Sequence, residues 1–196
     1  QWAKANNHLD KIEVLGFVDG TTSLKWIESA GCKVINLLCK GSLKHCKYQL
    51  RLTVEEHIEK IAEVVNNAQE MGITVNIYLE DWSNGMQDSE EYVFTLVDHL
   101  QYLPIKRFML PDTLGILSPD QTKEYFGKMV ARYPRLHFDF HAHNDYDLAT
   151  ANVYEAVKVG AKGVHVTMNG LGERAGNASL TSVIALLHDH LDKETN

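Results

Sequence analysis

The stretch "RLHFDFHAHNDYDLA", Arg135 to Ala149, decides the fold and points to the chemistry. It sets three histidines and three aspartates into what otherwise reads as a strand of bulky apolar residues. Side chains alternate along a strand. Leu136, Phe138, Phe140 and Ala142 therefore share one face, and His137, Asp139, His141 and His143 share the other. One face is built for packing and the other for polar work.

The same alternation recurs along the chain. In "VNIYLED", Val75, Ile77 and Leu79 oppose Asn76, Tyr78 and Glu80. In "GVHVTMN", Val164, Val166 and Met168 oppose His165, Thr167 and Asn169. Leu15 falls with Glu13 and Phe17, and Leu38 with Asn36. The six strand candidates are "KIEVLGF", "KVINLLCK", "ITVNIYLED", "IKRFML", "LHFDFHAH" and "GVHVTMN". Amphipathic helical runs separate them, with start signals at Thr53/Glu56 and Ser118–Pro119 and stops at Gly72 and Gly160. Strands alternating with helices predict parallel βαβ units. An open sheet covered on both sides would be apolar on both faces. One apolar and one polar face instead predicts an α/β fold of the (β/α)8 TIM-barrel type, with its site at the C-terminal strand ends. Six strand–helix units fall short of eight, so the expectation is a single partial barrel domain over 1–196 that lacks its first two units.

Composition narrows the function. The chain has 196 residues, 44% of them hydrophobic and 23% charged, in the ordinary range for a globular domain. A formal net charge of −7 with no Lys/Arg-rich run argues against nucleic-acid binding. No apolar run approaches the roughly 18 residues a membrane helix needs. No signal peptide is visible, although the chain opens at Gln1 rather than Met. Cys32, Cys39 and Cys46 are odd in number and lack C-x-x-C spacing, which reads as reduced thiols and a cytoplasmic location.

His141 and His143, two apart on a strand, point the same way and can hold a divalent ion together. The alternative is a hydrogen-bonded interior pair; the flanking acids and the polar face favour the metal. Asp139, one step deeper, is expected to fix a histidine tautomer. "NGLGERAGNASL", Asn169 to Leu180, is a tight glycine-rich loop in which Asn177 can supply an oxygen ligand or a neighbouring contact. Glu173 and Arg174 read as a loop-fixing ion pair or as substrate contacts. Thr113, in "LPDTLG", can donate to a substrate carboxylate or simply belong to a turn before Ser118. Glu80 is an interior carboxylate suited to acid–base work or to an ion pair. Ser42 and His45 read as residues of a loop after a strand, and His57 as part of a charged outer helix face.

These stretches together resemble a known family. "HAHND" followed by "NGLGERAGN" is similar to the acyltransferase branch of the metal-dependent barrel lyases and synthases, which includes 2-isopropylmalate, homocitrate and citramalate synthases. The likeness runs along nearly the whole chain. "IEVLGFVDG", "NLLCKGSLKH", "IYLEDWSNG" and "LPDTLGILSP" look closest to the pyruvate-using bacterial citramalate synthases.

The resemblance implies an acyltransferase of branched-chain amino-acid biosynthesis (isoleucine or leucine) that condenses acetyl-CoA with a 2-oxo acid, pyruvate first. A divalent ion (Mg2+, Mn2+ or Zn2+) would polarise the ketone, with His141, His143 and Asn177 as ligands. Thr113 would contact the 2-oxo acid carboxylate, Glu80 would serve catalysis through acetyl-CoA, and Leu15, Leu38 and Tyr78 would line a methyl-sized pocket. The alternatives are 2-isopropylmalate synthase and a related carbon–carbon lyase or aldolase. A non-catalytic module derived from the barrel is a third. One departure stands out. The Arg–Asp pair of the family's first strand has no counterpart before Lys11, where "QWAKANNHLD" reads as a helix tail. The accessory C-terminal regulatory domain and the partner-subunit residues of a homodimer are absent as well. The 196 residues alone are expected to bind metal weakly and turn over little.

Overall fold

The computed structural model describes residues 1–191. Six strands form one parallel sheet: β1 (Val14–Phe17), β2 (Val34–Lys40), β3 (Thr74–Glu80), β4 (Ile105–Asp112), β5 (Phe138–Ala142) and β6 (Gly163–His165). Their order across the sheet is β1-β2-β3-β4-β5-β6, every pair parallel. An open doubly wound sheet reverses its strand order at a switch point. Strict sequence order is what a barrel requires, and the sheet is a partial barrel whose terminal strands β1 and β6 pair on one side only among the described residues.

Helices follow each strand. They are α1 (Trp2–Ala5) before the sheet, then α2 (Thr22–Ala30), α3 (Leu43–His45), α4 (Val54–Glu70), α5 (Trp82–Asp88), α6 (Glu90–Leu100), α7 (Pro119–Arg132), α8 (Ala149–Lys158) and α9 (Leu180–Leu191). Thr53 and Glu56 close a capping box at the start of α4, and Ser118 with Gln121 does the same at α7. The predicted helices stand within two residues of these limits. The short α3 and the π turn Cys46–Leu50 that continues it stand where the sequence predicts a loop, and α5 is a further helix beyond that expectation. None of the three carries the apolar periodicity that marks a helix in sequence. The last strand is shorter than the sequence suggests. It ends at His165, and the chain turns through Met168–Gly170 with Asn169 at φ 56°. Only Thr167 keeps a bridge, to Ser179.

The sheet's outer face is the core. Ile35, Leu37, Ile77, Leu79, Phe108, Leu110, Phe138 and Phe140 are buried under the helices. Phe126 of α7 stands edge-on to Phe138, Phe140 and Trp82, with ring centroids 5.7 to 6.3 Å apart. His57, expected on a charged outer face, is instead fully buried. It begins the stripe His57, Ile61, Val64, Val65 and Ala68 that packs α4 against the sheet. Its Nδ1 lies 2.9 Å from the Tyr92 hydroxyl, whose hydrogen goes to the Lys40 carbonyl at 2.8 Å. The imidazole therefore donates through Nδ1. The inner face carries the polar set. Its free edge is open, so that Leu15 and Phe17 are 53% and 51% exposed.

Candidate active site

A polar layer floors the inner face. Arg107 on β4 donates to Asp139 at 3.0 Å and pairs with Glu13. Asn76 donates to Asn36 at 2.8 Å and to Glu13 at 3.3 Å. His137 and His165 approach Asp139 at 2.8 and 3.4 Å. Burial opposes ionisation of Asp139, but His165, Arg107 and His137 outweigh it and hold its carboxyl below the ordinary range. The expectation that Asp139 fixes His141 or His143 is corrected. The oxygens of Asp139 are taken by Arg107, His137 and His165, and the Nδ1 atoms of His141 and His143 have no partner among the described residues.

Above this floor His141 and His143 converge, their Nε2 atoms 3.2 Å apart. With metal–nitrogen bonds of about 2.1 Å, two imidazoles would sit about 3.0 Å apart at a right angle and about 3.4 Å apart at a tetrahedral one. The observed spacing lies between. Burial, followed by His165 and His143, pushes the His141 imidazole down to about 3. Burial and the Arg174 guanidinium lower His143. Both rings are held neutral, the form a metal ligand requires. Asn177 is bridged to His143 through the backbone, and its buried Oδ1 has no partner among the described residues. Among the described residues no three His, Cys, Asp or Glu side chains gather at metal-binding spacing. The two imidazoles converge, and the Asn177 amide oxygen is a candidate third donor. This set fits a divalent ion that takes further oxygen ligands from elsewhere.

The remaining predicted residues surround this pair. Tyr78 stands edge-on to His141, ring centroids 5.8 Å apart. In register, Phe17, Leu38 and Tyr78 are direct neighbours across β1, β2 and β3, whereas Leu15 neighbours Asn36 one layer lower. Phe17 thus belongs to the apolar row beside His141, a role its shared parity with Leu15 already allowed. Glu80 lies one layer above Tyr78 and is ion-paired with Lys40. Thr113 follows β4. Its hydroxyl accepts the Asp81 N–H at 2.8 Å, and its carbonyl accepts from Arg174 at 2.9 Å.

Arg174 pairs with Glu173 only loosely, at 3.8 Å. Its guanidinium grips Asp145 through two bonds of 2.7 and 2.8 Å, tying the glycine-rich loop to the end of β5. The glycines of that loop are required by space. A Cβ on Gly172 would lie 2.4 Å from the Asn177 amide, and one on Gly176 2.2 Å from the Gly170 carbonyl. His45, read as a loop residue, sits in α3 and lies 3.5 Å from buried Asp81, which the sequence reading passed over. The three cysteines are free and buried. No described helix is long and apolar enough to cross a membrane.

Comparison with known proteins agrees with this architecture. The HMGL-like family model matches residues 7–195. The 2-isopropylmalate synthase of Saccharolobus solfataricus is 36% identical over 189 residues, 95% of this chain and 48% of that protein. A homocitrate synthase of the same organism is 37% identical over 150 residues, 76% of this chain and 32% of that protein. The chain thus spans about half or less of the curated relatives' length. The HMG-CoA lyase structure from Bacillus subtilis superposes with a TM-score of 0.79 at 23% identity, covering 92% of this chain and 63% of that one. A sheet in barrel order, a convergent histidine pair at its mouth and a match over almost every residue lead to one conclusion: the chain belongs to the HMGL-like family.

Proposed function

We propose that the full-length protein condenses acetyl-CoA with a 2-oxo acid, pyruvate first, and that water then cleaves the thioester to give citramalate and CoA. The observation that carries this is the row Phe17–Leu38–Tyr78 running up to His141. It sets an apolar wall of bulky side chains beside the candidate ligand pair, where the acid's side chain would lie. A divalent ion held by His141, His143 and Asn177 would polarise the keto group as a Lewis acid. The neutral imidazoles keep the ligand lone pairs available. Thr113 donates its hydroxyl hydrogen to the acid's carboxylate. Glu80 removes a proton from the acetyl methyl group. Leu15, Leu38 and Tyr78 limit the acid's side chain to about a methyl group. A homodimer completing the site is part of the same proposal.

A second reading, 2-isopropylmalate synthesis from 2-oxoisovalerate, is supported by the similarity to the Saccharolobus solfataricus enzyme. The two acids differ only in the size of the group the apolar row must admit. Each methylene in such a pocket is worth about 1–3 kcal/mol. The deciding experiment incubates the full-length protein with acetyl-CoA, Mg2+ or Mn2+ and each acid, and identifies the product by mass. Citramalate as the dominant product supports the first reading, and 2-isopropylmalate the second. Consumption of 3-hydroxy-3-methylglutaryl-CoA, with no condensation product, would replace both by a lyase.

A further inference from the structure

We propose that Asp81 is a positioning residue that turns the Thr113 hydroxyl into a dedicated donor for the 2-oxo acid carboxylate; this rests on the reading of Thr113 given above. Asp81 directly follows Glu80 and is 1% exposed. Its backbone stands at φ 68°, a left-handed conformation rare for a residue with a side chain. Four contacts, from the segment after β2, from α5 and from the end of β4, hold it there. Ser42 donates to its Oδ2 at 2.6 Å, and Asn84 donates to its Oδ1 at 2.7 Å. His45 Nε2 stands 3.5 Å from Oδ2. Its own N–H donates to Thr113 Oγ1 at 2.8 Å.

The consequence for Thr113 follows from hydroxyl chemistry. A hydroxyl has one hydrogen to give and lone pairs to receive. With a lone pair occupied by the Asp81 N–H, the Thr113 hydroxyl hydrogen is directed away from Asp81. That hydrogen is donated to no protein acceptor among the described residues. It is left for an acceptor in the site. The left-handed angle of Asp81 turns its carboxylate toward Ser42 and Asn84 while its N–H meets Thr113. The side-chain contacts with Ser42 and Asn84 offset the strain of that angle.

The prediction concerns one substrate and not the other. In the full-length protein, Asp81→Ala removes the anchors and makes the left-handed angle unfavourable, so the N–H leaves Thr113. The KM for the 2-oxo acid should rise about tenfold, the worth of one well-made hydrogen bond. The KM for acetyl-CoA should stay within twofold. Thr113→Val should produce a similar rise, Thr113→Ser should restore the parent value, and the double variant should be no worse than about twofold beyond Thr113→Val. Should Asp81→Ala fail to fold, Ser42→Ala and Asn84→Ala loosen the same anchor from outside and carry the same expectation. If Thr113→Val leaves the 2-oxo acid KM unchanged, the reading of Thr113 fails and the proposal falls with it. If Thr113→Val acts but the Asp81 and anchor variants do not, the positioning role alone is wrong. Equal rises in both KM values, or fully multiplicative effects in the double variant, would also overturn it.

Discussion

The Nε2 atoms of His141 and His143 face one another at 3.2 Å, while the Nδ1 atoms of both rings have no partner among the described residues. A ligand imidazole ordinarily donates its second ring N–H to a partner, so it is the Nε2 spacing that speaks for a shared cation. Here the nitrogens that meet are the ones a cation would take. His141→Ala in the full-length protein should weaken Mn2+ binding by more than about a hundredfold, since losing even an outer partner of a ligand costs ten- to a hundredfold. Titration calorimetry or Mn2+ paramagnetic resonance reads this directly. Unchanged affinity would remove the pair from the metal site.

Glu80→Gln keeps the shape of the side chain and removes the base. The Lys40 partner remains, so the local packing should hold. The turnover number should fall by about 10²–10⁴, the usual contribution of a positioned proton acceptor. The affinity for acetyl-CoA should change little. A variant within tenfold of the parent rate would mean that Glu80 serves only the ion pair.

His57 makes the fold acid-sensitive. Burial, reinforced by the Lys40 ammonium, pushes its imidazole down to about 4, against about 6.5 in an unfolded chain. As pH falls below about 6.5 the unfolded chain takes up this proton and the folded one does not. The stability tied to neutral His57 is thus complete above about pH 6.5 and drains away toward pH 4. Between pH 7.5 and pH 5 the loss should be about 2 kcal/mol. Urea midpoints for the parent and for His57→Gln should show a shallower pH slope in the variant. Equal slopes would contradict the assignment, since His141 and His143 contribute to both proteins alike.

The two glycines that let α5 close on the β2 end leave no room for a side chain. A Cβ on Gly85 would lie 2.0 Å from the Gly41 carbonyl and 2.9 Å from Val93. Gly85→Ala should cost about 1–3 kcal/mol or more in urea unfolding, although alanine is the better helix former. A neutral or stabilising effect would mean that the contact relaxes freely.

How much of this was legible in the sequence depends on parity and on pairing. The alternation in Phe138–Ala142 and Thr74–Glu80 was enough to separate a packed face from a working face, and with it a barrel from an open sheet. His141 and His143 meet because a strand forces residues two apart to the same side. The contacts between strands were not legible. Asp139 was assigned to its chain neighbours, but the register places it opposite Gly163 and beside Met109, within reach of Arg107 and His165. Glu13 and Arg107 lie on the inner face and carry opposite charges; reading both by parity would have paired them. His57 sat on the apolar stripe of α4, four residues before Ile61, yet its flanking glutamates hid that position. Asp81 left no signal, because its role comes from a backbone angle and from partners 39 and 32 residues away.

The apolar row sets the most specific expectation. Leu38→Ala shortens the side chain between Phe17 and Tyr78. It should shift the kcat/KM ratio of 2-oxoisovalerate to pyruvate toward the larger acid by about tenfold or more, as expected for removing methylene groups from an apolar pocket. Steady-state assays with both acids read the ratio, and no shift would move the selecting residues elsewhere.

The most direct test of the account is CoA release by the full-length protein with acetyl-CoA and Mg2+ or Mn2+, offered pyruvate, 2-oxoisovalerate, 2-oxoglutarate and oxaloacetate in parallel. The account predicts metal-dependent release, abolished by a chelator and fastest with pyruvate. Release fastest with 2-oxoisovalerate would contradict the pocket while leaving the metal pair and the condensation standing. No release with any of the four acids would contradict the condensation itself.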